Sequence, residues 1–310
     1  MAIDPTKYAG TSDFGGFLEP TQAAPIFEEV ARRSVVQPLA RKVEMGPTGL
    51  SIPFWEGDVS AAWTDEGGKK PLTKGGFDKF TIEPKKITAI FAMSAEVVRA
   101  NPLNYINVMR EKVAEAFAVA FDEAALHGTN TPFGAYVDQT TKGVALTKDV
   151  DGEAVADAYG AVNNALSLLV KDGKQFTGGL LDLTTEPIIN DSVDKNGRPL
   201  FIEPTYTETN TITRQGRVIG RPVTIASNVA NEGTVGYLGD FSKILWGQIG
   251  GISYDVSDEA TLDLSAAQDG SGLTSLWQHN LVAVRCEAEY AIRVHDAEAF
   301  VKVTEGTDSP

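Results

Sequence analysis

The clearest pattern in the chain lies near its C-terminus, where Val282, Val284, Cys286, Ala288, Tyr290, Ile292 and Val294 alternate with Ala283, Arg285, Glu287, Glu289, Ala291 and Arg293. A period of two with one apolar and one mostly charged face predicts a long strand. A helical period takes over elsewhere. Ile106, Met109, Val113, Phe117, Phe121 and Ala124 recur at spacings of three and four, which predicts a helix over 102–127. Asn101 suits its N-cap, Pro102 its first position and Gly128 the C′ position after His127. Val155, Tyr159, Val162, Leu166 and Leu169 predict a second helix over 151–170, stopped by Gly173. A short helix fits 21–33, and strand regions fit 43–55 and 82–93. Runs at 178–183, 223–226, 235–238 and 244–246, set apart by Gly, Asn and Asp, read as short strands of a mixed α/β region.

Two stretches carry no period at all. Residues 1–20 are rich in Gly, Thr, Pro and Asp and read as an extended arm. Residues 56–79 hold five glycines and four lysines, with Trp63 and Phe77 as their large anchors. A segment so composed cannot bury itself, and it is too long for a hairpin turn of two to five residues. It predicts an arm that finds its packing surface elsewhere.

Composition then narrows the function. The 310 residues are 42% hydrophobic and 22% charged, which suits a folded chain with an ordinary core. Forty-two acids against 27 bases leave a net charge of −15, so a broad phosphate-neutralising surface is excluded. The single cysteine, Cys286, cannot close an internal disulfide and falls on an apolar face, and a reducing compartment is expected. His127, His279 and His295 do not form a Cys/His metal framework, and His127 at a helix end can bond the last carbonyls. Neither an export segment nor a membrane-spanning run is read. Gly68-Lys69 is followed by Lys70 and Gly173-Lys174 by Gln175, so no phosphate loop is present, and no hydrolase elbow or zinc-protease helix occurs. No cofactor or metal is expected.

In order along the chain, several segments resemble one family, the major capsid proteins of tailed bacteriophages with the Hong Kong 97 fold. They are Gly15-Gly16-Phe17-Leu18-Glu19-Pro20, the strand at 50–54, Ala61-Ala62-Trp63 with Glu66-Gly67, Pro84-Lys85-Lys86, and Ala125 to Thr129. Residues 194–200, 239–243, 280–285 and 297–300 continue the likeness. The resemblance implies an α+β fold with an N-terminal arm at 1–40 and a peripheral domain at 41–55 and 80–135, whose spine helix spans 102–127. It further implies an extended loop at 56–79, an axial domain at 136–275 and a return to the peripheral domain at 276–310.

The function implied is that of a structural shell protein, self-assembling into hexamers and pentamers of an icosahedral head that encloses double-stranded DNA without reading its sequence. Its place is the virion, with assembly in the host bacterial cytoplasm. A separate scaffolding protein, a portal and a decoration protein are the further partners. An encapsulin-like compartment shell is the alternative, and a soluble α/β enzyme or binding domain the more distant one. Lys69, Lys70, Lys74, Lys79, Lys85 and Lys86 outnumber Asp78 and Glu83, so the loop carries a local positive charge. That charge is expected to dock on a neighbour's acids, with Glu111, Glu115, Asp122 and Glu123 as candidates and Trp63 and Phe77 as interface aromatics.

Some members of the family also crosslink a loop lysine to a neighbour's asparagine, with a glutamate as catalyst. Asn280, Glu287 and Lys69, Lys70 or Lys74 match those positions. Seven residues is an odd spacing, so Asn280 must lie before the strand proper for the two side chains to share a reaction. The alternative is that Asn280 is a turn residue and Glu287 pairs with Arg285 or Arg293. Otherwise no enzymatic activity is expected.

Overall fold

The computed structural model describes residues 34–56, 61, 63–64, 66, 69, 75–101, 104–150, 153–192, 201–202, 214–218, 220–265 and 270–306. The arm at 1–20 and the helix expected over 21–33 lie outside them. Along the chain, β1 (Arg41–Lys42) precedes a hairpin of β2 (Leu50–Glu56) and β3 (Gly76–Ile82), then β4 (Lys85–Ser94), α1 (Ala95–Ala100) and α2 (Tyr105–Leu126). The middle supplies β5 (Gly143–Ala145), the hairpin β6 (Thr147–Val150) and β7 (Glu153–Ala156), α3 (Ala158–Lys171), β8 (Gly178–Asp182) and α4 (Glu186–Asp191). Next come β9 (Phe201–Ile202), β10 (Arg214–Val218), β11 (Arg221–Ala226), β12 (Thr234–Gly239) and β13 (Ile244–Ser257). The hairpin of β14 (Thr261–Asp263) and β15 (Leu273–Ser275), then β16 (Leu281–Val294) and β17 (Phe300–Thr304), complete the series.

Two sheets organise these elements. One has the order β1-β13-β16-β4, the other β5-β17-β12-β8-β11-β10-β9. The spine helix α2 lies on the first: Val113 and Phe117 pack against Cys286 and Ala288, and the Phe121 ring meets Trp246 and Tyr290 edge-on at 5.8 and 5.4 Å. Helix α3 covers one face of the second sheet, with Val162, Ala165 and Leu169 against Leu181, Ile225 and Leu238. The end of α2 covers the other face through Ala125 and Leu126. Coverage on both faces explains why every residue of β8 and β12 is buried and why their sequences do not alternate.

The two sheets share one continuous ribbon. Strands β12 and β17 pair in the seven-stranded sheet and β13 and β16 in the other, all antiparallel. The connectors stay bonded between them, His295 N–H donating to the Lys243 carbonyl and Asp240 N–H to that of Ala299.

The structure departs from the sequence reading where local signals compete. Asn101 is not the N-cap of the spine helix but the left-handed C-cap of α1, at φ 40°, a helix whose own N-cap is Ser94. Its side-chain oxygen still accepts from Ile106 N–H, so it serves the following helix from outside. The spine helix itself runs 105–126, and Gly128 does adopt φ +72° after it, where an added Cβ would lie 2.6 Å from the Tyr136 ring. The second helix begins at 158 rather than 151, because Asp157 caps it by accepting from Gly160 N–H while 153–156 pair with β6 as a strand. The run read at 244–246 is the start of a 14-residue strand. Gly250, at φ +63°, forms part of a register shift between Ile249 and Ser253, so glycines that look like a stop mark a bulge instead.

The domain boundaries shift for the same topological reason. β13, read within the axial segment 136–275, belongs to the sheet carrying the spine helix. β17, read within the peripheral return at 276–310, lies inside the seven-stranded sheet.

Candidate functional site

Among the described residues, strands β2 and β3 pair with each other and with no other strand, in a register that sets Leu50 opposite Ile82 and Trp55 opposite Phe77. At the base of this hairpin Ile82 is buried against Leu245 and Ala291, with Ile52 and Phe80 half-buried beside it. Phe54 and Phe80 flank His295 at ring distances of 5.5 and 5.2 Å. Burial stops beyond that point. Trp55 and Phe77 stack edge-on at 5.2 Å but are 50% and 78% exposed, and Trp63 is wholly exposed. Each large aromatic removed from water would gain roughly 1.5–3 kcal/mol. Strand pairing thus reaches Glu56 and resumes at Gly76, placing Phe77 and Lys79 on β3 rather than in a loop.

Lys69 and Lys79 are exposed near this tip; Lys70 and Lys74 lie outside the described residues. Lys85 and Lys86 do not belong to the arm. They begin β4, where Lys85 pairs with Glu83 at 3.1 Å and Lys86 with Glu287 at 3.4 Å. Of the expected docking acids, Glu111 is exposed on α2 and Glu115 pairs with Lys112 at 3.2 Å.

Asp122 cannot serve as a docking acid. It is buried, and its carboxylate accepts from the Ser34 hydroxyl at 2.6 Å, Val35 N–H at 2.8 Å and Val36 N–H at 3.2 Å. Burial pushes its pKa up to about 6 despite those donors. It fastens the chain leaving residue 34 to the spine helix.

Asn280 sits in a turn at φ 52°, immediately before β16 begins at Leu281. Its carbonyl accepts from Ala95 N–H, and its side-chain amide donates to Glu96 at 2.6 Å. Glu96 is held below the usual carboxylate range chiefly by its own backbone N–H, against the opposing cost of desolvation, with further help from Asn280, Ser94 and Arg99. Sequence reading missed Glu96, which lies 184 residues from its partner and carries no local motif. Glu287 pairs with Arg285 at 3.3 Å as well as with Lys86.

The remaining reactive groups are structural. Burial raises the Cys286 thiol. His127 does not cap helix carbonyls with its ring; Nδ1 lies 2.9 Å from the Tyr237 hydroxyl, which donates to Asp138 at 3.0 Å. Burial lowers the His127 pKa against the pull of Asp138 and Glu123. Among the described residues no His, Cys, Asp and Glu cluster could hold a metal.

Comparison with known proteins places the chain in a family of structural proteins. The model of the phage capsid family matches residues 15–304. The chain is 53% identical over 306 residues to the "Probable major capsid protein gp17" of Mycobacterium phage D29, covering 98% of this chain and 95% of that protein. It is 54% identical over 310 residues to the protein of the same name in Mycobacterium phage L5, covering 98% and 94%. Among solved structures, a chain from Microbacterium phage Oxtober96 superposes with a TM-score of 0.73 at 17% identity, over 95% of this chain and 98% of that one.

Proposed function

Because the chain belongs to the phage capsid family, we propose that the aromatic tip of its hairpin is the device by which one copy grips the next. The protein is structural: a major capsid protein of a tailed bacteriophage, built into the multimeric icosahedral shell of the virion. The names of its relatives do not favour the encapsulin alternative.

The observation that carries the proposal is the exposure of Trp55, Trp63 and Phe77 on a two-stranded hairpin whose base alone is anchored. In hexamers and pentamers the tip covers a neighbour's surface, with Lys69, Lys70, Lys74 and Lys79 facing acids of the spine helix such as Glu111 and Glu115. The acidic balance of the chain suits a lining that encloses double-stranded DNA without adhering to it. A portal, a scaffolding protein and a decoration protein complete this reading, with assembly in the host cytoplasm. Shell formation by a variant lacking the exposed aromatics tests it. Shells at wild-type yield from Trp63→Ala/Phe77→Ala protein would sink it.

A second reading starts from the position of Asn280 ahead of β16; at ~3.3 Å per residue the strand sets Glu287 of the same copy roughly 20 Å away, so this reading draws its glutamate from another copy. In that reading Glu287 takes a proton from the ammonium of Lys69, Lys70 or Lys74 of an adjoining copy. The amine attacks the Asn280 side-chain carbonyl, a C–N bond forms, and ammonia leaves with the proton returned by Glu287. The product is an isopeptide bond between subunits.

A further inference from the structure

Between the hairpin base and the waist of the ribbon lies a cavity of about 220 Å³ that opens to the surface. That is far above the ~10–15 Å³ needed for one water, so a side chain can enter. Its apolar walls are Val43, Ile52, Phe80 and Leu245, and its polar groups include Arg41, Lys243 and His295. In the sheet register Arg41 opposes Leu245, which opposes Arg293, so Arg293 projects from the same face. The Arg293 Nε–H is buried and has no hydrogen-bond partner among the described residues.

Several cations of the chain are held by its own acids. Lys85, Lys86, Lys112, Lys142, Lys174, Arg214, Arg285 and Lys302 each reach a carboxylate of their own chain. Arg41, Lys243 and Arg293 pair with no carboxylate among the described residues. Ser242, at the rim, is already committed to Asp240, and Asp296 beside His295 is engaged by Lys174. The cluster is therefore a positive recess on a chain of net charge −15.

We propose that this recess receives an acidic side chain from a second copy of the chain. The charge balance selects the occupant: every neighbour in a shell of this protein is a copy of a chain with 42 acids against 27 bases. A glutamate fits the chemistry on both counts, its methylenes against Phe80 and Ile52 and its carboxylate between Arg41 and Lys243, where the low-dielectric wall strengthens the pairing. Because the recess lies between hairpin and ribbon, an inserted side chain ties a subunit contact to the relative setting of the two. The inference rests on the shell reading above but concerns a different surface from the aromatic tip.

Electron cryomicroscopy of shells assembled from the full chain tests it directly. The expected result is a neighbour's Asp or Glu carboxylate within ~4 Å of Arg41 or Lys243. A recess filled by the chain's own residues, a free anion or solvent overturns it. In parallel, Arg41→Glu/Lys243→Glu protein is expected to need about tenfold more subunit to form shells. Should that variant lose its folded circular-dichroism signal, Arg41→Gln/Lys243→Gln replaces it, with a smaller shift in the same direction. Assembly of a folded variant at the wild-type concentration rejects the proposal, whereas failure of the wild-type chain to form any shell counts against the shell reading instead.

Discussion

The Ser34 hydroxyl donates to the Asp122 carboxylate at 2.6 Å, across 88 residues of sequence, and so pins the root of the N-terminal arm to the spine helix. The next two backbone N–H groups complete the clasp. A carboxylate in so dry a place makes stability depend on pH.

Burial sets the Asp122 pKa at about 6 against an ordinary 3.8. A folded value above the unfolded one means the unfolded chain binds fewer protons between them, so this contribution is complete below pH ~3.8 and lost as pH rises through about 6. Relative to Asp122→Asn, the wild type is expected to gain on the order of 3 kcal/mol between pH 7 and pH 4. Melting temperatures of both proteins across that range measure it, and a constant difference between them rejects the assignment.

His127 has the opposite sign. Burial lowers its folded pKa, so its contribution is present above ~6.5 and declines as pH falls toward the folded value. Replacing it by Gln is expected to flatten the acid side of the melting profile. An unchanged profile would place the imidazole in contact with solvent.

The buried Tyr237 hydroxyl bridges His127 and Asp138. Tyr237→Phe keeps the ring but leaves two half-buried partners short of a bond, with an expected loss of about 1 kcal/mol. Chemical denaturation of the isolated subunit reads this, and a loss below ~0.5 kcal/mol shows that water replaces the hydroxyl.

Trp63→Ala/Phe77→Ala should leave the melting temperature of the subunit nearly unchanged, since both side chains are exposed, while reducing shell yield. Sedimentation separates the two effects. Equal losses of stability and yield would mean that the aromatics serve the subunit's own core.

Denaturing electrophoresis of assembled shells decides the covalent reading. A ladder above the monomer band that collapses with Asn280→Asp or Glu287→Ala supports an isopeptide bond. A single band from wild-type shells ends it.

Much of this architecture was legible because it is local. The alternation from Val282 to Val294 marked β16 nearly to the residue, and the stripe from Val113 to Ala124 marked the buried face of α2. Asn101 misled because an asparagine before a proline suits either end of a helix, and only the neighbouring Val97 carbonyl decides which end it caps. Membership of a sheet could not be read at all: the assignment of β16 and β17 to different sheets depends on pairing with distant strands. At the hairpin tip, aromatics in a glycine-rich stretch announced themselves through what they lacked. Glu96 and the Arg41–Lys243 recess stayed hidden because they exist only once remote segments meet.

The ribbon of β12–β13 and β16–β17 also bears on how a closed surface is tiled. Both sheets are strung on the same two chain segments, joined at 240–243 and 295–299, so these connectors are where a change of tilt between the sheets would be taken up. If, as proposed above, copies sit in both hexamers and pentamers, one polypeptide must adopt different tilts, and a two-ply strap that twists without unzipping would meet both.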